Sequence, residues 1–250
     1  MYTKKDLLDI VIDQLAIEYN CKPGDFSLDK NVLTVPALHP QRRRYNENGN
    51  FFKMVTLGAN AILCADAGMH AFLSGYIRDK AGHWLFEHDK LLILDKELGQ
   101  YGKRLMSTFH MFLPVAKGKA QETRYPVKWF EEDEIHPFYA GGQFPNALCR
   151  AYDPNRPDML AVAAYENGAI VGMAGCSADT PLLWQIGIDV SESHRGRGLG
   201  TYLVTLLKDE IQNRGKIPFY GTSLSNLHSW NIAINCGFRP AWIEICTEEE

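Results

Sequence analysis

Residues 194–200 read HRGRGLG, two arginines among three glycines in seven positions. Before them, LLWQIGIDV (182–190) is apolar and rich in β-branched residues, as a buried strand is. After them, TYLVTLLKDEIQNRG (201–215) has a helical pattern, with Leu199, Tyr202, Leu203, Leu206 and Leu207 on one face and Arg214–Gly215 as a stop. The turn therefore stands at a helix N-terminus that begins near Gly198. There the first N–H groups lack intrahelical partners, and the helix dipole favours negative charge. Gly196, Gly198 and Gly200 let those N–H groups approach a bulky anion with no Cβ between. Arg195 and Arg197 add planar forks suited to phosphate. A hydrogen bond to a charged group contributes about 1.5–3 kcal/mol, so several together can anchor a pyrophosphate. The competing reading is a glycine-rich turn that only permits tight strand–helix packing.

Three phosphate-binding turns compete. A P-loop needs GxxxxGK followed by Ser or Thr, and no lysine follows these glycines. A dinucleotide fold needs GxGxxG and an acidic residue closing the next strand, whereas that strand here ends FYGTS. The third pattern, Arg/Gln-x-x-Gly-x-Gly/Ala between a strand and a helix, is met by Arg195, Gly198 and Gly200.

A second signal lies downstream. In SLSNLHSWNIAINCGFRPAW (223–242), Asn226 follows a strand, a helix spans about 227–235, and Gly237–Phe238 opens a last strand. With the arginine–glycine turn, this resembles the GNAT superfamily of acyl-CoA-dependent N-acyltransferases over roughly residues 122–246. The resemblance implies an α/β (α+β) fold, with a mixed, mostly antiparallel sheet carrying a parallel splayed strand pair. It implies acetyl-CoA as acyl donor and no metal. The cofactor-binding residues would be Ile188, Val190, Arg195, Gly196, Arg197, Gly198, Leu199, Gly200, Thr201 and Asn226. The turn would hold the pyrophosphate, and the Asn226 helix would flank the pantetheine arm.

Acyl transfer from a thioester to an amine has two physical needs. An amine of pKa about 10.4 must lose a proton, at a cost of about 4–5 kcal/mol at pH 7, so a base or water chain is required. The oxyanion needs donors, typically backbone N–H groups. By the resemblance, Val190 N–H at the splayed end of its strand faces the thioester carbonyl, and the free edge pairs with the pantetheine amides as an added strand would. Many family members carry a tyrosine four residues before the Gly-Phe; here that position is Ala233. The catalytic candidates are Asp189, Asn226 and Ser229, with His228 and the water-orienting Gln185 beside them. Asp189 has a plainer reading as a turn cap, and His228 as an exposed helix residue.

These residues need elements to position them. MLAVAAYE (159–166) and AIVGMAGCSA (169–178) flank Asn167–Gly168, a strong hairpin signal, and should pair antiparallel. LLWQIGIDV, the helix and KIPFYGTS (216–223) form strand–helix–strand, which should cross over right-handed and set its two strands parallel. Upstream, Leu7, Val11 and Leu15 mark an amphipathic helix. Strands are expected at 31–38, 51–58, 60–66 and 109–115, and helices at 68–78 and 90–105. The polar stretch 116–126 is the linker candidate. Two regions follow: 1–120, an α+β region suited to acceptor specificity, and 121–250, the acetyl-CoA-binding catalytic domain.

The chain has 250 residues, 46% hydrophobic and 22% charged, an ordinary globular composition. A net charge of −4 argues against nucleic acid or an anionic membrane as partner. Six scattered cysteines with no CxxC pair suggest neither a zinc site nor a disulfide framework. Asp6, Asp9 and Asp13 interrupt the N-terminal apolar run, so a signal peptide is not expected. No stretch reaches the roughly 18 apolar residues of a membrane span. A soluble, cytoplasmic protein is expected. Its partners would be a small-molecule amine or a protein amine, with a homodimer open. His83 and His88 lack a metal-ligand spacing, Trp184 and Trp230 read as core or pocket wall, and TEEE (247–250) reads as a solvated tail. The run RRR (42–44) reads as solvated, with an acidic partner or the adenosine 3′-phosphate as alternatives. The reading is an N-acetyltransferase acting by direct attack of a primary amine on the thioester. The alternative is a non-catalytic acyl-CoA-binding or sensor module.

Overall fold

The structure, a computed structural model, describes residues 2–45, 47–116, 118 and 125–247. The expected linker at 116–126 therefore lies mostly outside the described residues, as do the last three residues of the tail. The chain divides into two compact units: Phe112–Thr222 with Asn226–Pro240, and Tyr2–Met111 with Ser223–Ser225 and Ala241–Glu250.

In chain order the second unit contains α1 (Lys4–Glu18), β1 (Val32–Thr34), β2 (Phe52–Thr56), β3 (Ala61–Ala65), α2 (His70–Tyr76), α3 (His88–Leu98) and the start of β4 (Phe109–Pro114). α1 opens on a capping box in which Thr3 and Asp6 satisfy each other's backbone N–H. It buries Leu7, Val11 and Leu15, the expected stripe. The strand expected at 31–38 is only three residues long, because Pro36 lacks an N–H to continue the ladder. The helix expected at 90–105 ends at Leu98; a 3-10 turn follows and Gly102 closes it in the left-handed region at φ 70°. The helix expected at 68–78 runs only from His70 to Tyr76, after a 3-10 turn at Ala67–Met69.

The other unit carries β5 (Val127–Glu131), β6 (Asp158–Glu166), β7 (Ala169–Ala178), β8 (Leu183–Val190), α4 (Leu199–Asn213), β9 (Ile217–Ser223, to Thr222 in this unit), α5 (Leu227–Asn235) and the start of β10 (Phe238–Cys246). Its sheet runs β9-β8-β7-β6-β5. The hairpin forms as expected, with Glu166 opposite Ala169 and positive φ at both Asn167 (50°) and Gly168 (81°), as a type I′ turn requires. β8 pairs antiparallel with β7 and parallel with β9. The sheet is thus mixed and mostly antiparallel, with one parallel pair, as expected.

α4 lies against this sheet through Leu199, Leu203, Val204, Leu207 and Ile211, all buried. Each such side chain contributes roughly 1.5–3 kcal/mol by leaving water. The helix stops where expected: Lys216 N–H donates to Ile211 O (3.0 Å) and Gly215 N–H to Gln212 O (3.0 Å), a Schellman closure that needs the left-handed Gly215.

Candidate functional site

The parallel pairing of β8 and β9 stops at Ile186 opposite Tyr220, whereas β8 continues against β7 as far as Val190. Past that last rung the two strands fork. Ser191 N–H donates to Val171 O on the β7 side (3.0 Å). By strand alternation, the N–H and C=O of Val190 then point to the opposite edge, into the fork. The Val190 carbonyl accepts from Arg195 Nε at 3.0 Å, which folds the arginine back beside the free edge.

The turn from β8 to α4 is a 3-10 segment, Glu192–His194, followed by Arg195 to Gly198. Gly196 (φ 72°) and Gly198 (φ 79°) both lie in the left-handed region, where a Cβ is strained. Gly198 is the N-cap of α4 and offers no side-chain cap; the first intrahelical bond is Tyr202 N–H to Gly198 O (3.0 Å). The N–H groups of Leu199, Gly200 and Thr201 therefore point out of an uncapped helix end. Arg195 and Arg197 are exposed on either side of Gly196. Gly200 has a different task. A Cβ there would lie 3.0 Å from Ile232 Cδ1, 3.6 Å from Val190 and 3.7 Å from Ile188, so its absence lets α5 and the end of β8 close on the first turn of α4.

His194, which residue types alone did not single out, locks this turn. It is buried; its Nδ1 lies 2.7 Å from Ser191 Oγ and 2.8 Å from Ser193 Oγ, and its Nε2 lies 3.0 Å from Glu166 Oε2 at the hairpin end of β6. The sequence signal was faint: two serines just before a histidine at the start of a glycine-rich turn.

Asp189 is placed at the fork but is already occupied. Its Oδ2 accepts from the N–H groups of Asn146 (2.8 Å) and Ala147 (2.9 Å), and its Oδ1 accepts from Asn146 Nδ2 (2.6 Å). The loop it grips lies directly on the sheet. A Cβ at Gly187 would stand 1.7 Å from Asn146 O, and one at Gly175 would stand 2.3 Å from Ala147 O. Asp189 is a clamp on residues 146–147, neither a free base nor the turn cap of the plainer reading.

Asn226 caps α5, its Oδ1 accepting from Ser229 N–H at 3.1 Å. Ser229 Oγ lies 2.7 Å from Tyr220 Oη, and burial pushes the Tyr220 phenol up to about 12 even though the bond to Ser229 draws it down. His228 is exposed, as its plainer reading held. The structure thus gathers Ile188, Val190, Asp189, residues 195–201, Asn226 and Ser229 around one fork.

The expected solvated run RRR is a correction. Arg43 is only 6% exposed. Its Nε and one Nη donate to the two oxygens of Glu18 (both 2.8 Å), and the same Nη donates to Glu244 Oε2 (2.9 Å). The Trp242 and Tyr45 rings lie within 5.8 Å and 5.3 Å of its guanidinium carbon. Burial alone would raise the Glu18 carboxyl, but the Arg43 charge and hydrogen bonds outweigh it and hold the group below the usual carboxylate range. Among the described residues no cluster of three metal-ligating side chains occurs, and no helix is long and apolar enough to cross a membrane.

Residues 121–238 match the acetyltransferase (GNAT) family. The chain carries a GNAT domain over that range. Solved structures similar to it include a protein of Novosphingobium aromaticivorans from the GNAT family (16% identity, 58% of this chain and 66% of that one, TM-score 0.46). A GCN5-related N-acetyltransferase-like protein of Streptococcus suis is 15% identical over 78% of this chain and 84% of its own, with TM-score 0.48. A Salmonella typhimurium protein solved with its cofactor acetyl-CoA is 16% identical over 51% of this chain and 94% of its own, with TM-score 0.36. The match spans less than two thirds of the Novosphingobium chain. No curated protein matches the sequence.

Proposed function

We propose that this chain transfers an acetyl group from acetyl-CoA to a primary amine of a small molecule or protein, with the fork between β8 and β9 as the site. The observation that carries this reading is the uncapped start of α4 beside a free strand edge, inside a domain of an acetyltransferase family. The N–H groups of 199–201 and the guanidinium groups of Arg195 and Arg197 suit a pyrophosphate. Gly196 and Gly198 keep side chains out of its way. Ile188 and Val190 offer backbone groups to the amides of an extended pantetheine arm, and Val190 N–H is the donor for a thioester carbonyl.

Asp189 in this reading fixes the wall formed by residues 146–147 and does not abstract a proton; solvent at the open fork takes the proton from the amine. Asn226 positions Ser229. Residues 1–120 are proposed to set acceptor choice. The second reading, a non-catalytic acyl-CoA-binding module, draws on one observation, the three hydrogen bonds that already tie the Asp189 carboxylate to residues 146 and 147.

Thermal unfolding with acetyl-CoA, with NAD and ATP as controls, tests the site. At ligand about a hundredfold above Kd the stabilisation is about 2.7 kcal/mol, a rise in Tm of roughly 5–10 °C for a chain of this size. No rise with acetyl-CoA overturns the reading. Thiol release with a broad amine panel then separates enzyme from binding module.

A further inference from the structure

Proline stands on both sides of Ala37–Leu38–His39, at Pro36 and Pro40. Each proline fixes its own φ at about −65° and restricts the residue before it, so this arch has little freedom to lose. Two side chains of α1 tie the arch down, one at each end. Asn20 Nδ2 donates to Val35 O (3.0 Å), and Gln14 Nε2 donates to Gln41 O (3.0 Å). Between the ties, the arch and the helix enclose a cavity of about 480 Å³. That volume lies within the roughly 300–1,000 Å³ of small-molecule sites. The residues that line it all belong to the unit that contains α1.

The walls are apolar and carry one charge. Ala16 and Ile17 form the helix side, and Ala37 and Leu38 the arch side. Leu38 is 58% exposed yet fixed in place: a Cβ at Gly49 (φ 75°) would lie 2.9 Å from its Cδ2. Asp13, four residues before Ile17 on the same helix face, supplies a carboxylate. Among the described residues no donor is bonded to it. His39 brings no charge, because Gln41 N–H donates to its Nδ1 (3.1 Å) and that nitrogen therefore carries no hydrogen. At the far end α1 closes in a Schellman turn, with Asn20 left-handed (φ 48°) and Cys21 N–H donating to Ala16 O (3.0 Å). This turn brings Cys21 to the cavity, where burial pushes its thiol up to about 12 and keeps it neutral. Asn20, its amide nitrogen engaged by Val35, keeps its Oδ1 as a second acceptor. Among the described residues, no lysine or arginine lines the cavity.

We infer that this cavity binds a small protonated amine with a compact apolar body, its N–H donating to Asp13 and its hydrocarbon lying between Ile17 and Leu38. Covering the exposed leucine supplies attraction, and the braced arch lowers the cost of ordering the site. The Asp13 carboxylate selects the sign of charge, because an anion of the same shape is repelled by it.

The test titrates the full chain by two-dimensional amide NMR with N,N-dimethylcyclohexylamine, and with cyclohexanecarboxylate as the anionic counterpart. A tertiary amine cannot become an amide, so this probe is no acceptor for acyl transfer. It should shift the amides of residues 13–21 and 37–39 saturably, and the carboxylate should bind about tenfold more weakly or not at all. Asp13→Asn should weaken the probe by about fivefold, the worth of a partly solvated ion pair. Ala37→Trp, on the exposed arch, should abolish the shifts and leave Tm unmoved. No saturable shift at these residues overturns the proposal. So does an Asp13→Asn chain of unchanged affinity, or a carboxylate that binds as tightly as the amine. Each of these results leaves the acetyl-CoA reading of the fork untouched.

Discussion

Arg43 and Arg195 both come from short basic stretches in turns, RRR and RGR, and their surroundings differ in every respect that matters for chemistry. Arg43 is buried, forked onto Glu18 and bonded to Glu244, with aromatic rings beside its plane. Its charge is spent inside the fold. Among the described residues, Arg195 makes a single close bond, to the Val190 carbonyl, and its nearest carboxylate, Glu192, is 4.0 Å away and exposed. Its charge faces solvent at a helix start whose own N–H groups lack a cap. The difference teaches that arginine density says little about anion binding. What counts is whether carboxylates from elsewhere in the chain have already neutralised the guanidinium, and whether backbone donors point the same way.

The comparison breaks most visibly at Arg43. Arg43→Ala leaves two glutamates facing each other in a buried site, and losing one partner of a buried pair costs about 3–5 kcal/mol. Urea unfolding should show a loss of that size; a loss under about 1 kcal/mol would mean that the network is no more than a surface ion pair. The same network gives a pH dependence. The folded pKa of Glu18 lies below its unfolded value, so its stabilisation is present above the unfolded pKa and is lost as pH falls through the folded one. Acid unfolding of Glu18→Gln should be correspondingly less steep in pH.

Next in size is the turn. Replacing Arg195 and Gly198 together by Ala removes one guanidinium and strains the helix start at φ 79°. Loss of about 1.5–3 kcal/mol corresponds to roughly 10- to 150-fold weaker acetyl-CoA binding. Titration calorimetry measures it, and unchanged affinity would sink the pyrophosphate reading. Asp189→Asn should cost about 1–2 kcal/mol. It should also speed amide exchange at Asn146 and Ala147 specifically; uniform exchange rates would deny the clamp. The smallest effect sharpens the contrast through salt. Exposed Arg195 and Arg197 should make acetyl-CoA affinity fall as ionic strength rises, whereas the buried Arg43 network should leave unfolding stability nearly insensitive to salt.

Much of the site was legible in the sequence because its parts obey short-range rules. Asn167–Gly168 announced a hairpin, since only a few residues accept two successive positive φ angles. Gly215 announced the end of α4 for the same reason. The turn at 195–200 could be read as an anion cradle because a strand, a glycine-rich turn and an amphipathic helix follow each other directly. What the sequence did not reveal lies where the partner is distant. Asp189 looked like a base, and its three donors sit on residues 146 and 147.

By itself, then, the sequence determined the order of strands and helices except for β5, the hairpin, the start and stop of α4, and the family that residues 121–238 match, all matters of local spacing and backbone preference. Only the tertiary structure decided which charged groups remain available. Glu244 meets Arg43 across 201 positions and Glu166 meets His194 across 28, and no periodicity within a helix or strand encodes such pairs. Burial and neutralisation are properties of where the chain folds back on itself, and they separate an arginine that holds the fold from one that stays exposed to solvent.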